Sequence, residues 1–261
     1  MRGRDRGRYP ETCSCGAGTG RRPLLHRQPL CRGRIRLCRR LPSCAAKAPP
    51  FSDIDLVVVF PSLQRAWRES FSADGFPVEA FVHDPQTLAH YLHQDADSGY
   101  PIMVNMVATG CIVGSDIDSA RVIQAKAASM LAAGPKPPAG ADYDMLRYQV
   151  TDLADDLRGA RPPEEVAAIA ALLYQKLANL ILLGRGAWTG RGKWAPRLMK
   201  KLDAQLAAEF DAAFKLAAAG DGARFLALAD RELALHGGRY FEGFRQDAPL
   251  EARRLGSIDL R

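Results

Sequence analysis

The sequence predicts an α+β protein: an α/β unit of alternating strands and helices over residues 51–133, followed by an α-helical bundle over residues 141–248. Three observations carry that expectation. Short apolar, β-branched runs alternate with helical patterns between residues 52 and 132. Apolar residues at 3-and-4 spacing dominate beyond residue 141. Between them lies Gly134-Pro135-Lys136-Pro137-Pro138-Ala139-Gly140, a stretch that can sustain neither a helix nor a strand.

Residues 52–60 read as a strand, β-branched, apolar on both faces after Asp55 and stopped by Pro61. A short helix is expected over 63–72 and a second strand over 76–82, with Gly75 before it and His83-Asp84-Pro85 after it. Helical character follows over 85–94, where Leu88, Tyr91 and Leu92 share a face, and again over 102–108. Residues 111–113 form a short strand, and 116–132 a longer helix with Ser115 as its cap. In the second part, Leu146, Val150, Leu153 and Leu157 keep the helical period, as do Val166, Ile169, Leu173, Leu177 and Leu180. Further helices are expected over 196–218 and 223–236, ended by Gly220 and by Gly237-Gly238, which completes an up-and-down bundle of four or five helices.

The net charge of +7 is unevenly spread. Residues 1–50 hold thirteen basic residues against Asp5 and Glu11, a net +11, whereas the remaining 211 hold 23 basic and 27 acidic, a net −4. The acidic balance beyond residue 50 weighs against long nucleic acid as a partner. The leader 1–50 is rich in Arg, Gly, Pro and Cys and shows no helical or strand period, so it is expected to be disordered or the product of a mis-framed coding stretch. It lacks the apolar segment of a secretory signal, and no uninterrupted apolar run approaches the ~20 residues that span a bilayer, so a cytoplasmic location without membrane contact is expected. Cys13, Cys15, His26 and Cys31 have no regular C-x2-C spacing that would mark a zinc site.

Asp53 and Asp55 stand two apart on a strand, so both side chains leave one face. Carboxylates held that close repel one another unless a cation lies between them, and Mg2+ takes hard oxygen ligands of this kind together with phosphate oxygens. Glu79, the lone acid in Pro77-Val78-Glu79-Ala80-Phe81-Val82, is the candidate for a third carboxylate from a neighbouring strand; the alternative is a place on an exposed sheet face. Ser115-Asp116-Ile117-Asp118 repeats the Ser-Asp-Ile-Asp string, but it opens a helix and no apolar strand follows, so capping is its expected role.

The segment Ser52-Asp53-Ile54-Asp55-Leu56-Val57-Val58-Val59-Phe60 resembles the Asp-hydrophobic-Asp strand of the nucleotidyltransferase superfamily that includes DNA polymerase beta. More loosely, Gly192-Lys193-Trp194-Ala195-Pro196-Arg197-Leu198 and Gly237-Gly238-Arg239-Tyr240-Phe241-Glu242-Gly243-Phe244-Arg245 look like the helical C-terminal part of bacterial proteins with this domain; aminoglycoside adenylyltransferases have a comparable two-part layout. The resemblance implies a small mixed-sheet nucleotidyltransferase core, here with its N-terminal part incomplete. It implies Mg2+- or Mn2+-dependent transfer of a nucleoside monophosphate from a nucleoside triphosphate, with ATP expected, to an unassigned acceptor hydroxyl, releasing pyrophosphate. Asp53, Asp55 and Glu79 would be the catalytic, metal-binding acids, with Glu79 completing the metal site or deprotonating the acceptor. Ser52, Lys193 and Arg197 would bind nucleotide or substrate.

The family places a Gly-Ser turn shortly before the first Asp, and the corresponding stretch near Arg40 and Cys44 has none, so weak or absent activity is expected of this chain. A catalytically inactive nucleotidyltransferase-like binding module, an antitoxin or partner subunit, is the alternative. Arg231-Glu232-Leu233-Ala234-Leu235-His236 also fits the Arg-x4-His spacing of HEPN-type ribonucleases, helical domains often associated with nucleotidyltransferase partners, although His236 before two glycines is equally a residue for a helix C-terminus.

Overall fold

The valine run after Asp55 forms the centre of a sheet. Val57, Val58 and Val59 are almost completely buried although successive strand residues face opposite sides, so both faces of this strand are covered. The computed structural model describes residues 35–39, 53–73, 75–138 and 140–253. The chain divides into two compact units between Pro135 and Lys136.

The first unit contains β1 (Ile35–Arg39), β2 (Ile54–Val59), β3 (Trp67–Ala73), β4 (Phe76–His83) and β5 (Cys111–Ile112). They form one five-stranded sheet in the order β3-β4-β2-β1-β5. Only β2 and β4 run parallel; β1 with β2, β1 with β5 and β3 with β4 are antiparallel. The helices α1 (Pro85–Ser98), α2 (Ile102–Thr109) and α3 (Ile117–Ala133) supply the rest of the core. Leu37, Val57 and Val59 of the sheet pack with Leu88, Val104 and Ala120 of the helices. Val58, Ala80 and Val82 form a smaller cluster with Leu56, Phe60 and Phe71.

Two expectations are corrected here. Residues 63–72 are not a helix: the whole of β3 pairs with β4, from Trp67 opposite Val82 to Ala73 opposite Phe76. A helix there would leave the backbone groups of that β4 edge without strand partners. The hairpin turn passes through Gly75, whose φ of 83° is costly for any residue with a Cβ. The second correction concerns the leader, where no strand was expected; Ile35–Arg39 forms β1 beside β2. Its five residues, Ile-Arg-Leu-Cys-Arg, are too few to show a period inside an arginine-rich stretch.

Helix ends explain the local folding. Asp84 caps α1 by accepting the Thr87 N–H at 2.8 Å, the Thr87 hydroxyl accepts the Asp84 N–H at 3.0 Å, and Pro85 fills the first turn. The second Asp84 oxygen accepts the Leu63 N–H at 3.1 Å, tying the loop after β2 to the start of α1. Asp116, not Ser115, caps α3, accepting the Ser119 N–H at 3.2 Å. Asp95, buried on α1, accepts the Val104 N–H of α2 at 2.8 Å and so serves as a cap supplied from another helix.

The second unit is a bundle of α4 (Gly140–Arg158), α5 (Pro163–Gly184), α6 (Trp194–Leu202), α7 (Ala204–Ala218) and α8 (Ala223–Leu235). The helix expected over 196–218 is two helices, because the Asp203 carboxylate accepts the N–H groups of Gln205 and Leu206 and starts α7 anew. Fully buried Leu173, Leu177, Leu180 and Ile181 make α5 the spine, against which Phe210 and Phe225 pack. By length and composition α5 would suffice to cross a membrane, with a mean hydropathy of 1.8 over its best window, and half of that window is buried inside the bundle. The sheet unit followed by this helical unit makes the fold α+β.

Candidate metal centre

The parallel pairing of β2 with β4 sets Asp55 directly opposite Glu79. Asp53 lies two residues before Asp55 and shares its face. One carboxylate oxygen from each of Asp53, Asp55 and Glu79 lies within 4.8 Å of the others, and all three residues are half-buried. The same side-chain row continues along β2 as Val57 and Val59, which are sealed in the helix-covered core. The acids therefore occupy the end of a rigid apolar row, where helical cover stops and solvent begins.

The donor set fits a hard divalent ion. Mg2+ binds oxygen at about 2.0–2.1 Å in octahedral geometry, which places neighbouring ligand oxygens about 3 Å apart and opposite ones about 4 Å apart. A closing movement of under about 1 Å at flexible carboxylate ends brings a 4.8 Å span to that size.

A residue not singled out in the sequence completes the arrangement. Arg68 on β3 lies opposite Phe81 of β4, one diagonal step from Glu79. Its Nη2 donates to Glu79 Oε1 at 2.6 Å, and its guanidinium carbon stands 5.0 Å from the centre of the Phe81 ring. The signal was present in the Asp74-Gly75 dipeptide, which marks a hairpin.

Ser52 lies outside the described residues, as do Cys13, Cys15, His26 and Cys31. Lys193 and Arg197 belong to the second unit, both exposed at the start of α6, where the Arg197 guanidinium lies 5.1 Å from the Trp194 ring centre. Trp188 is buried and serves as an anchor for its loop. The second Ser-Asp-Ile-Asp string divides as expected: Asp116 caps α3, and exposed Asp118 lies 3.8 Å from Arg121.

The Arg-x4-His pair is built into a charge network. Arg231 bonds both oxygens of Glu209, at 2.7 and 2.8 Å. Glu232, 1% exposed, makes ion pairs with Arg185 at 2.7 Å and Arg231 at 3.3 Å, and His236 Nε2 stands 3.9 Å away. Burial lowers the His236 imidazole below its ordinary value, the Arg185 charge adds to this, and Glu232 opposes it. In the first unit, burial likewise lowers His83, against the raising effect of Asp84. Burial raises Asp95 to about 6, against the pull of the Val104 and Met103 N–H groups.

The chain matches no protein-family model and no curated protein. Among solved structures it is similar to the crystal structure of a nucleotidyltransferase-like protein from Exiguobacterium sibiricum 255-15, with a TM-score of 0.40 and 14% identity, over 80% of this chain and 72% of that one.

Proposed function

We propose that this chain is a metal-dependent nucleotidyltransferase that transfers a nucleoside monophosphate from a nucleoside triphosphate, ATP first among them, to an acceptor hydroxyl. The observation that supports the reading is the convergence of Asp53, Asp55 and Glu79 on one patch at the end of the β2–β4 pair. It joins the Asp-hydrophobic-Asp strand to a third acid 24 residues downstream that only strand pairing brings near.

Asp53 and Asp55 would hold Mg2+ or Mn2+ from β2, and Glu79 would complete the set from β4. A divalent ion held by these carboxylates would supply Lewis-acid polarisation of the α-phosphate and charge neutralisation for the leaving pyrophosphate. The buried valines behind the aspartates keep the two carboxylates in fixed register, which limits the reorganisation needed when an ion and a triphosphate arrive. Lys193 and Arg197 are proposed triphosphate or substrate contacts, and Ser52 a nucleotide contact beside Asp53. Because no Gly-Ser turn precedes Asp53, turnover is expected to be slow, and nucleotide binding is the more direct test.

That test is calorimetric titration of Mg2+-ATP into the full chain and into an Asp53→Asn, Asp55→Asn variant. Binding to the parent and its loss in the variant are expected. Identical null titrations would sink the enzymatic reading. Incubation with labelled nucleoside triphosphates and pooled hydroxyl acceptors then identifies the product.

A further inference from the structure

We propose that Arg68 is a positioning residue that holds Glu79 away from a divalent cation until a nucleotide is present, so that metal and nucleotide fill the site together. This rests on the reading of Asp53, Asp55 and Glu79 as the metal-holding carboxylates. The Arg68–Glu79 contact is short and charge-assisted, 2.6 Å from Nη2 to Oε1, and engages a carboxylate that would also have to reach the ion. A guanidinium and a divalent cation then contend for one group, and they repel each other at that range.

The position of Arg68 suits release. Its side chain is 58% exposed on the edge strand β3, whereas that of Glu79 is 27% exposed on the inner strand β4. Arg68 can therefore leave Glu79 without opening the core, and the Phe81 ring behind it defines the place to which it returns. A triphosphate brings several negative oxygens, and a planar guanidinium forms paired hydrogen bonds with phosphate. Arrival of the nucleotide thus gives Arg68 another anion and leaves the Glu79 carboxylate to the metal. Such an exchange couples the two ligands: each raises the affinity for the other by the same factor.

The test measures Mn2+ binding by electron paramagnetic resonance, with and without a non-hydrolysable ATP analogue. The proteins are the full chain, Arg68→Gln, Arg68→Lys, and Arg68→Gln combined with Asp53→Asn and Asp55→Asn, each checked for folding by its melting curve. Without nucleotide, Arg68→Gln is expected to bind Mn2+ about 10-fold more tightly than the parent, and Arg68→Lys, which keeps the charge, to stay within about 2-fold. With the analogue present, the advantage of Arg68→Gln should vanish or reverse. Equal or weaker Mn2+ affinity of Arg68→Gln without nucleotide overturns the proposal, as does an absence of measurable binding in both. If Arg68→Gln gains affinity and the added aspartate substitutions leave that gain intact, the metal is elsewhere and the carboxylate reading itself fails.

Discussion

Glu79 on the sheet and Glu232 in the bundle are each held by arginine, yet the charge around them differs in sign. Glu79 shares its patch with Asp53 and Asp55 and is partly exposed. Glu232 is buried, with Arg185 and Arg231 paired to it and His236 beside it. A cluster of carboxylates at the rim of a rigid sheet is stabilised by a cation from outside. A carboxylate enclosed by the chain's own cations is already paired in charge and holds helices together. The first arrangement is suited to binding and the second to structure.

The largest effect that separates them is on metal binding. Asp53→Asn with Asp55→Asn should weaken Mn2+ binding by more than about 100-fold in an electron paramagnetic resonance titration, with little change in melting temperature. Glu232→Gln should do the reverse, leaving Mn2+ affinity unchanged and costing about 2 to 4 kcal/mol in urea unfolding, because Arg185 loses its buried partner. Equal stability losses in both variants would erase the contrast. Next in size is Gly184→Ala. The added Cβ would collide with the His236 ring and approach the Tyr143 hydroxyl to 2.8 Å, so a loss of about 1 to 3 kcal/mol is expected.

Acid responses sharpen the comparison further. Asp95 titrates near 6 in the fold against 3.8 ordinarily. Between those values the native state binds a proton that the unfolded chain has released, so this group makes the protein less stable as pH rises through the window. Asp95→Asn should remove that slope, read from urea midpoints at about pH 4.5 and 7. His236 acts in the opposite sense. Its folded value lies below 6.5, so the stability it contributes is complete above 6.5 and is lost as pH falls below it. His236→Gln should flatten the acid limb of the bundle's stability. The smallest effect is expected at the second Ser-Asp-Ile-Asp string, where Asp116→Ala should cost about 1 kcal/mol of stability as a lost cap and leave Mn2+ binding unchanged.

The two strings of identical residues show how far local sequence reaches. Around Asp53 and Asp55 the valines that follow specify a buried strand, and around Asp116 the absence of such a run leaves a cap. The bundle was legible from the spacing of Leu173, Leu177 and Leu180, because a helix buries one stripe and repeats it. Edge strands were not. Trp67–Ala73 has one half-exposed face and mixed polarity, so its sequence leaves open a helical reading that only pairing with β4 excludes. Ile35–Arg39 is shorter still, and β2 supplies the pairing that its own residues do not announce.

By itself, the sequence determined the α+β division at the Gly-Pro stretch, the strand that carries Asp53 and Asp55, and the shared face of the two carboxylates. These follow from periods of two and of 3.6 residues, which are local properties of the chain. The tertiary structure decided the partners. It set Glu79 opposite Asp55, placed Arg68 on Glu79, and enclosed Glu232 among cations, because strand register and helix packing join residues that no local period relates.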